Sequence, residues 1–315
     1  DVEAAFRRFP LQATVRGVPG YNHLLPDLSF EARDREHARE RRTLERLQRL
    51  DAKALRGQDR ISYELLLDKM EFAVEGQRFR DAEALVLTTG GGLHNLMPRT
   101  AQITPFRTVD DYRDYIRRIT ATPKLADDTI ARLKSGLASG WMSTRSVADR
   151  ILAAINAHLV DNVEQSALLS PFAKMAPGIT DAERAALVAD ARRAIADDYH
   201  PALRRYRAFI QNEYRPKAPE IAGLASFKGG ADYYGYLIRS RIVRSHSARQ
   251  IHELGLAEVN AVRKEIGAIV KEVGFDGTTD QFIEHLRTDP KFFFKSPEAV
   301  LEAYRAIGPR VDPHL

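Results

Sequence analysis

The stretch Ser247-Ala248-Arg249-Gln250-Ile251-His252-Glu253-Leu254-Gly255-Leu256 opens the most strongly patterned segment of the chain. Its apolar positions continue through Val259, Val262, Ile266, Ile269 and Val273, roughly every 3.5 residues, as in a helix that packs along one stripe. Ser247 and Gln250 stand where a capping box needs them, each side chain able to accept from the other's backbone N–H. Gly274 is placed to end the helix, because glycine enters the left-handed conformation at little steric cost. The spacing predicts one long amphipathic helix whose aliphatic stripe is buried.

Similar signals recur outward from it. Thr278-x-x-Gln281 opens a shorter helix, and Ser296-Pro297-Glu298 opens another with proline at its first position. Upstream, Leu203, Tyr206 and Ile210 carry an apolar face to a stop near Pro216 and Pro219. Thr180-x-x-Glu183 caps a helix continued by Leu187, Ala191 and Ile195, which Pro201 should kink or divide. Val147, Ile151, Ile155 and Leu159 form a buried stripe, Pro123 starts a helix running to about Ser139, and Asp110 and Asp111 suit the first turn of a helix from Thr108. Ser29 caps a long polar helix to about Leu50. A second follows Gly57 with Ile61, Leu65 and Phe72 facing inward, and the two make an antiparallel hairpin. Residues 1–27 read as a short helix and an irregular lead-in, and Ala84-Leu85-Val86-Leu87-Thr88 fits either a short strand or a buried helix end. The fold class is therefore all-α: a multi-helix array, mostly antiparallel, with long irregular loops and little or no β structure. Two sub-units suggest themselves, residues 1–107 (hairpin plus glycine-rich loop) and 108–315 (helical bundle).

Bulk properties exclude several function classes. The 315 residues are 44% hydrophobic and 29% charged, ordinary for a globular chain, and no apolar run approaches the ~18–20 residues of a membrane-spanning helix. The net charge of +5 is dispersed: between Arg33 and Arg49, arginines alternate with Glu36, Glu40 and Glu45, a solvated face rather than a nucleic-acid footprint. With no cysteine, disulfides, thiolate nucleophiles and cysteine-based metal sites are excluded. The chain opens on Asp1-Val2-Glu3-Ala4 without a signal-peptide pattern, although an exported chain stripped of its leader reads the same.

No complete catalytic motif is present. His252-Glu253-Leu254-Gly255-Leu256 has the His-Glu pair of a zincin helix, but Leu256 stands where the second histidine must be four residues on to share the metal. The nine histidines include no pair three or four apart. Two segments stand out as candidate walls of a substrate groove. In the first, Gly91 and Gly92 let backbone pass close to a ligand, with His94 and Asn95 as polar contacts; a flexible turn is the plainer reading. In the second, Gly229-Gly230 release the chain before Tyr233, Tyr234 and Arg239, donors suited to a peptide backbone or carboxylate; tyrosines packed with their hydroxyls at the surface are the plainer reading.

Leu25-Pro26-Asp27-Leu28-Ser29, Gly91-Gly92-Leu93-His94 before Pro105-Phe106, Asp111-Tyr112, Glu213-Tyr214-x-Pro216, and Tyr233-Tyr234 leading to Ile251-His252-Glu253-Leu254 follow one another in an order that resembles the bacterial family called domain of unknown function 885. The resemblance implies the N-terminal half of a larger helical protein similar to zinc peptidases. Its His-Glu and Pro-Gly-His metal motif would lie beyond residue 315. On that resemblance no catalytic or metal residue and no cofactor is expected in this chain. Zinc is expected in the full-length protein, a peptide as substrate, and the missing C-terminal half as partner. A bacterial periplasmic or envelope location is expected, with the cytoplasm as alternative. A non-catalytic helical module that binds a peptide or protein is the rival reading.

Overall fold

A computed structural model describes residues 2–221, 223–242 and 245–311, and among these there is no β-strand, as the all-α expectation requires. The chain divides into two compact units, Asp1–Ile242 and Val243–Leu315, so residues on both sides of position 107 share the first.

The first unit opens with two short helices, α1 (Val2–Arg8) and α2 (Pro10–Val15). Turns follow until Ser29, whose Oγ accepts from the Ala32 N–H at 3.1 Å and starts α3 (Phe30–Gln48). The next helix, α4 (Gly57–Gly76), runs back along α3: Gln77 at its end donates to the His37 carbonyl at 3.1 Å and to Glu40 Oε2 at 2.9 Å. This confirms the hairpin, but not its inward face. Ile61 and Leu65 are 51% and 68% exposed, because the arginine-rich α3 is too polar to build a core against them. Residues 84–88 form neither strand nor helix end. Arg80–Ala84 is a 3₁₀ turn, and the chain then runs irregularly, burying Ala84 and Leu87.

Seven helices build the core: α5 (Leu93–Ile103), α6 (Val109–Thr120), α7 (Thr122–Ser139), α8 (Arg145–His158), the single turn α9 (Ser170–Ala173), α10 (Asp181–Ala194) and α11 (His200–Phe209). Capping boxes start α6 (Thr108 with Asp111) and α10 (Thr180 with Glu183), satisfying backbone donors that a helix start leaves orphaned. Ile151 and Ile155 of the expected stripe are buried, beside Tyr112, Tyr115 and Ile119 of α6.

Pro201 does not divide its helix. Ile195–Tyr199 widens into a π-helical turn directly before it, and helical dihedrals continue through Tyr199 and His200. A proline ring crowds the carbonyl one turn back, and one wider turn takes up that mismatch. A second π turn, Ile210–Tyr214, precedes Pro216 in the same way.

Phenols line this interior. Tyr115 donates to the Leu168 carbonyl at 3.2 Å, and the Tyr214 hydroxyl accepts from the Ser143 N–H at 2.7 Å. The Tyr199 and Tyr206 hydroxyls are buried without a protein partner. A desolvated, unpaired hydroxyl costs about 1–3 kcal/mol, so Tyr206→Phe should leave the fold intact and raise stability by about 1 kcal/mol, roughly 2–4 °C in Tm. Thermal unfolding checks this. A lower Tm would mean that an ordered water, rather than nothing, answers that hydroxyl.

The unit closes with α12 (Gly230–Arg241), which docks on the C-terminal end of α4 through Tyr236 Oη donating to the Phe72 carbonyl at 2.9 Å.

The second unit contains α13 (Ala248–Glu272), α14 (Thr279–Thr288) and α15 (Pro297–Val311). The capping boxes at Ser247 and Thr278 are formed, and Gly274 has φ +68° just past the end of α13. Phe275 packs against Phe282 and His285, and His285 meets Phe292, fastening α14 beneath the end of α13. The predicted helix is there; its predicted burial is not. Of the hydrophobic side chains described in this unit, Val270 alone is buried. No helix among the described residues is long and apolar enough to cross a membrane.

Candidate functional site

The glycine-rich segment ends in a tight local structure. Gly92 takes φ +98°, a conformation that disfavours any side chain, and serves as N-cap of α5. The Gly91 N–H donates to Thr88 Oγ1 at 3.2 Å, and Asn95 Nδ2 donates to the Thr89 carbonyl at 2.9 Å. His94 lies under the turn, 1% exposed, with Nδ1 lacking a protein partner. Burial depresses its pKa, aided by the nearby His158 and opposed by the Thr89 backbone, which keeps the imidazole neutral.

The second segment sits at the start of α12. Gly229 is left-handed, with φ +74°, and a Cβ on Gly230 would overlap the Leu224 carbonyl oxygen, so the paired glycines are required for the chain to turn here. Tyr233 enters an aromatic cluster, its ring centroid 5.1 Å from Phe79 and 5.5 Å from Trp141, and Trp141 lies 4.8 Å from Phe227. Arg239 is spent structurally, its Nη2 donating to Glu75 at 2.6 Å and tying α12 to α4. Tyr234 is exposed.

A cavity of about 280 Å³ opens beside the start of α12, and none of Gly91, Gly92, His94, Asn95, Tyr233, Tyr234 and Arg239 is among its lining residues. Its floor is the Phe79 and Trp141 rings; its rim carries Arg78, Arg80, Asp81, Lys228 and Asp232, with Gly229 at the start of α12. Arg78 lies over the Phe79 ring at 4.5 Å, and Arg80 pairs with Asp34 at 2.7 Å. A mixed-charge rim over an aromatic floor suits a polar, extended ligand such as a peptide segment, which offers both hydrogen-bonding groups and apolar side chains.

The structure does not merge the two candidate segments, but it makes them neighbours across one loop. Ser143 Oγ donates to the Leu87 carbonyl at 2.6 Å on the glycine-rich side, while Trp141, two residues earlier, packs on Tyr233. Phe79, Trp141 and Lys228 belong to no motif that the sequence displays, whereas Asp232 lies inside the second candidate segment. The one signal the sequence offers is the chain's lone tryptophan following Ser139-Gly140.

The donor set does not fit a metal. Among the described residues, no three His, Asp or Glu side chains gather closely enough to hold one. Glu253 of the zincin-like pair is engaged by Arg249 at 2.8 Å on the exposed α13.

A crystal structure described as that of a putative lipoprotein from Colwellia psychrerythraea superposes on 98% of this chain with a TM-score of 0.78 at 17% sequence identity. At that identity the likeness shows the fold alone. The chain spans 56% of the length of that protein. No curated protein matches the sequence. The model of one family, described as bacterial protein of unknown function (DUF885), matches residues 10–315, and the chain belongs to that family.

Proposed function

We propose that this chain is the groove-forming, substrate-positioning half of a larger helical zinc peptidase, with the metal and its ligands supplied by polypeptide beyond residue 315. What supports the reading is the length of a structural relative, of which this chain matches only 56%, together with a cavity that has an aromatic floor and a charged rim. In this division of labour the aromatic floor and charged rim hold an extended peptide and keep bulk water from it. The general base and the activated water belong to the other half. The description of the structural relative as a putative lipoprotein supports a place in the bacterial envelope.

Metal analysis tests the division. The purified 315-residue chain should carry no stoichiometric zinc and hydrolyse no peptide, whereas the full-length protein should do both. Tight stoichiometric zinc in the 315-residue chain would overturn it. A non-catalytic peptide-binding module is the second reading, favoured by the same cavity. It is separated from the first by a full-length protein that binds peptide in calorimetry yet neither binds zinc nor cleaves.

A further inference from the structure

The cavity beside the start of α12 is lined by five charged side chains, and they are not equally engaged. Arg80 is held by Asp34 at 2.7 Å, and Arg78 lies over the Phe79 ring at 4.5 Å with Glu75 at 3.8 Å. Lys228, Asp81 and Asp232 are exposed and pair with no other side chain among the described residues. Charges of both signs therefore stand unanswered around one opening. They come from two segments far apart in sequence, Asp81 from the 3₁₀ turn Arg80–Ala84, and Lys228 and Asp232 from the start of α12.

A neutral ligand seated here would strip water from these charges and return nothing, which is costly. A ligand with a cation and an anion of its own answers both signs, and charge-assisted hydrogen bonds are the strong ones. The cavity is also small. Its volume of about 280 Å³ lies at the lower edge of the ~300–1,000 Å³ of sites for drug-sized ligands, room for a few residues and not for a long segment. The rings of Phe79 and Trp141 beneath offer apolar contact to whatever joins the two charged ends.

We infer that the cavity takes a short peptide with both ends free, its ammonium group toward Asp81 and Asp232 and its carboxylate toward Lys228. The inference rests on the reading of this cavity as a peptide site and narrows the ligand to a zwitterionic peptide; it needs neither zinc nor hydrolysis.

Trp141 is the only tryptophan of the 315 residues, so its fluorescence reports on this cavity directly. Trialanine, N-acetyl-trialanine, trialanine amide and the doubly blocked form are titrated into the 315-residue chain at neutral pH. Trialanine should give a saturable change, and each single block should weaken binding at least ~10-fold. Lys228→Gln should weaken trialanine by a similar factor and leave the amide unmoved. Asp81→Asn combined with Asp232→Asn should weaken trialanine and leave the N-acetyl form unmoved. These side chains are exposed and unpaired, so thermal unfolding of the variants should match that of the parent. Equal affinity for free and doubly blocked trialanine would overturn the inference and leave a peptide site standing. No response to any of the four would overturn it together with the peptide reading of the cavity. Trialanine binding untouched by the charge variants would place the peptide elsewhere and overturn it as well. Preference for phosphorylethanolamine over trialanine would overturn it in favour of a lipid headgroup.

Discussion

Arg118→Ala is expected to destabilise the first unit by about 3–5 kcal/mol, well above the usual cost of a point substitution. The side chain is fully buried in α6 and serves as a peg for the irregular lead-in. Its guanidinium donates to Thr14 Oγ1 at 2.7 Å, to the Leu24 carbonyl at 3.0 Å and to the Tyr21 carbonyl at 3.1 Å. Burial pulls its pKa down to about 10, against the opposing pull of Asp114, so the group stays charged at neutral pH. Truncation would leave the Leu24 carbonyl without its donor, take one of two partners from Thr14 Oγ1 and the Tyr21 carbonyl, and open a hole where a long side chain had been. Arg118→Lys keeps the charge but cannot reproduce the forked donation, and should fall in between. Urea unfolding gives the free energy, and hydrogen exchange across residues 10–28 should show the lead-in released first. A loss below about 1 kcal/mol would mean that the lead-in is held by other contacts.

Trp141→Ala is the second large effect, with an expected cost of about 3–5 kcal/mol. Trp141 is 3% exposed and joins segments far apart in sequence: its ring meets Phe227 and Tyr233, and its backbone carbonyl lies so close to Gly136 that a Cβ there would press on it. The substitution removes half of the aromatic floor of the cavity, so stability should fall, and with it the peptide binding proposed for that cavity. Trp141→Phe should restore most of the stability while altering the cavity. Thermal unfolding of both variants measures the loss of stability, and limited proteolysis around residues 223–229 measures the loosening of the turn that Trp141 holds through Phe227. An alanine variant with unchanged Tm and an unloosened 223–229 turn would refute this role for the tryptophan.

Local signals in the sequence are a good guide to where helices start. Thr180, Ser247 and Thr278 each cap a helix as their spacing implies, because a capping box is a contact between residues three apart and needs no tertiary information. Periodicity locates the helices but not what covers them. The stripe of α13 and the Ile61 and Leu65 face of α4 have the pattern of buried surfaces and are open, since a pattern records that a face is apolar and not which neighbour arrives to bury it. Pro201 shows another limit: a helix can widen by one turn as well as break, and only the packing around Tyr199 and Tyr206 decides between them. At the candidate site the required glycines, Gly92, Gly229 and Gly230, can be read from sequence. The cavity itself cannot, because Phe79, Trp141 and Lys228 come from three separate segments. Arg239 has the look of a ligand donor because arginine often is one; its partner, Glu75, lies on a helix 164 residues away.

Labour in the proposed enzyme is divided between this chain and the polypeptide beyond it. The most direct test is a crystal structure of the full-length protein with anomalous scattering measured at the zinc edge. Such a division predicts one zinc ion ligated entirely by side chains beyond residue 315, facing the groove to which Phe79 and Trp141 contribute. A zinc ligand drawn from residues 1–315, or a full-length protein with no metal site at all, would contradict it.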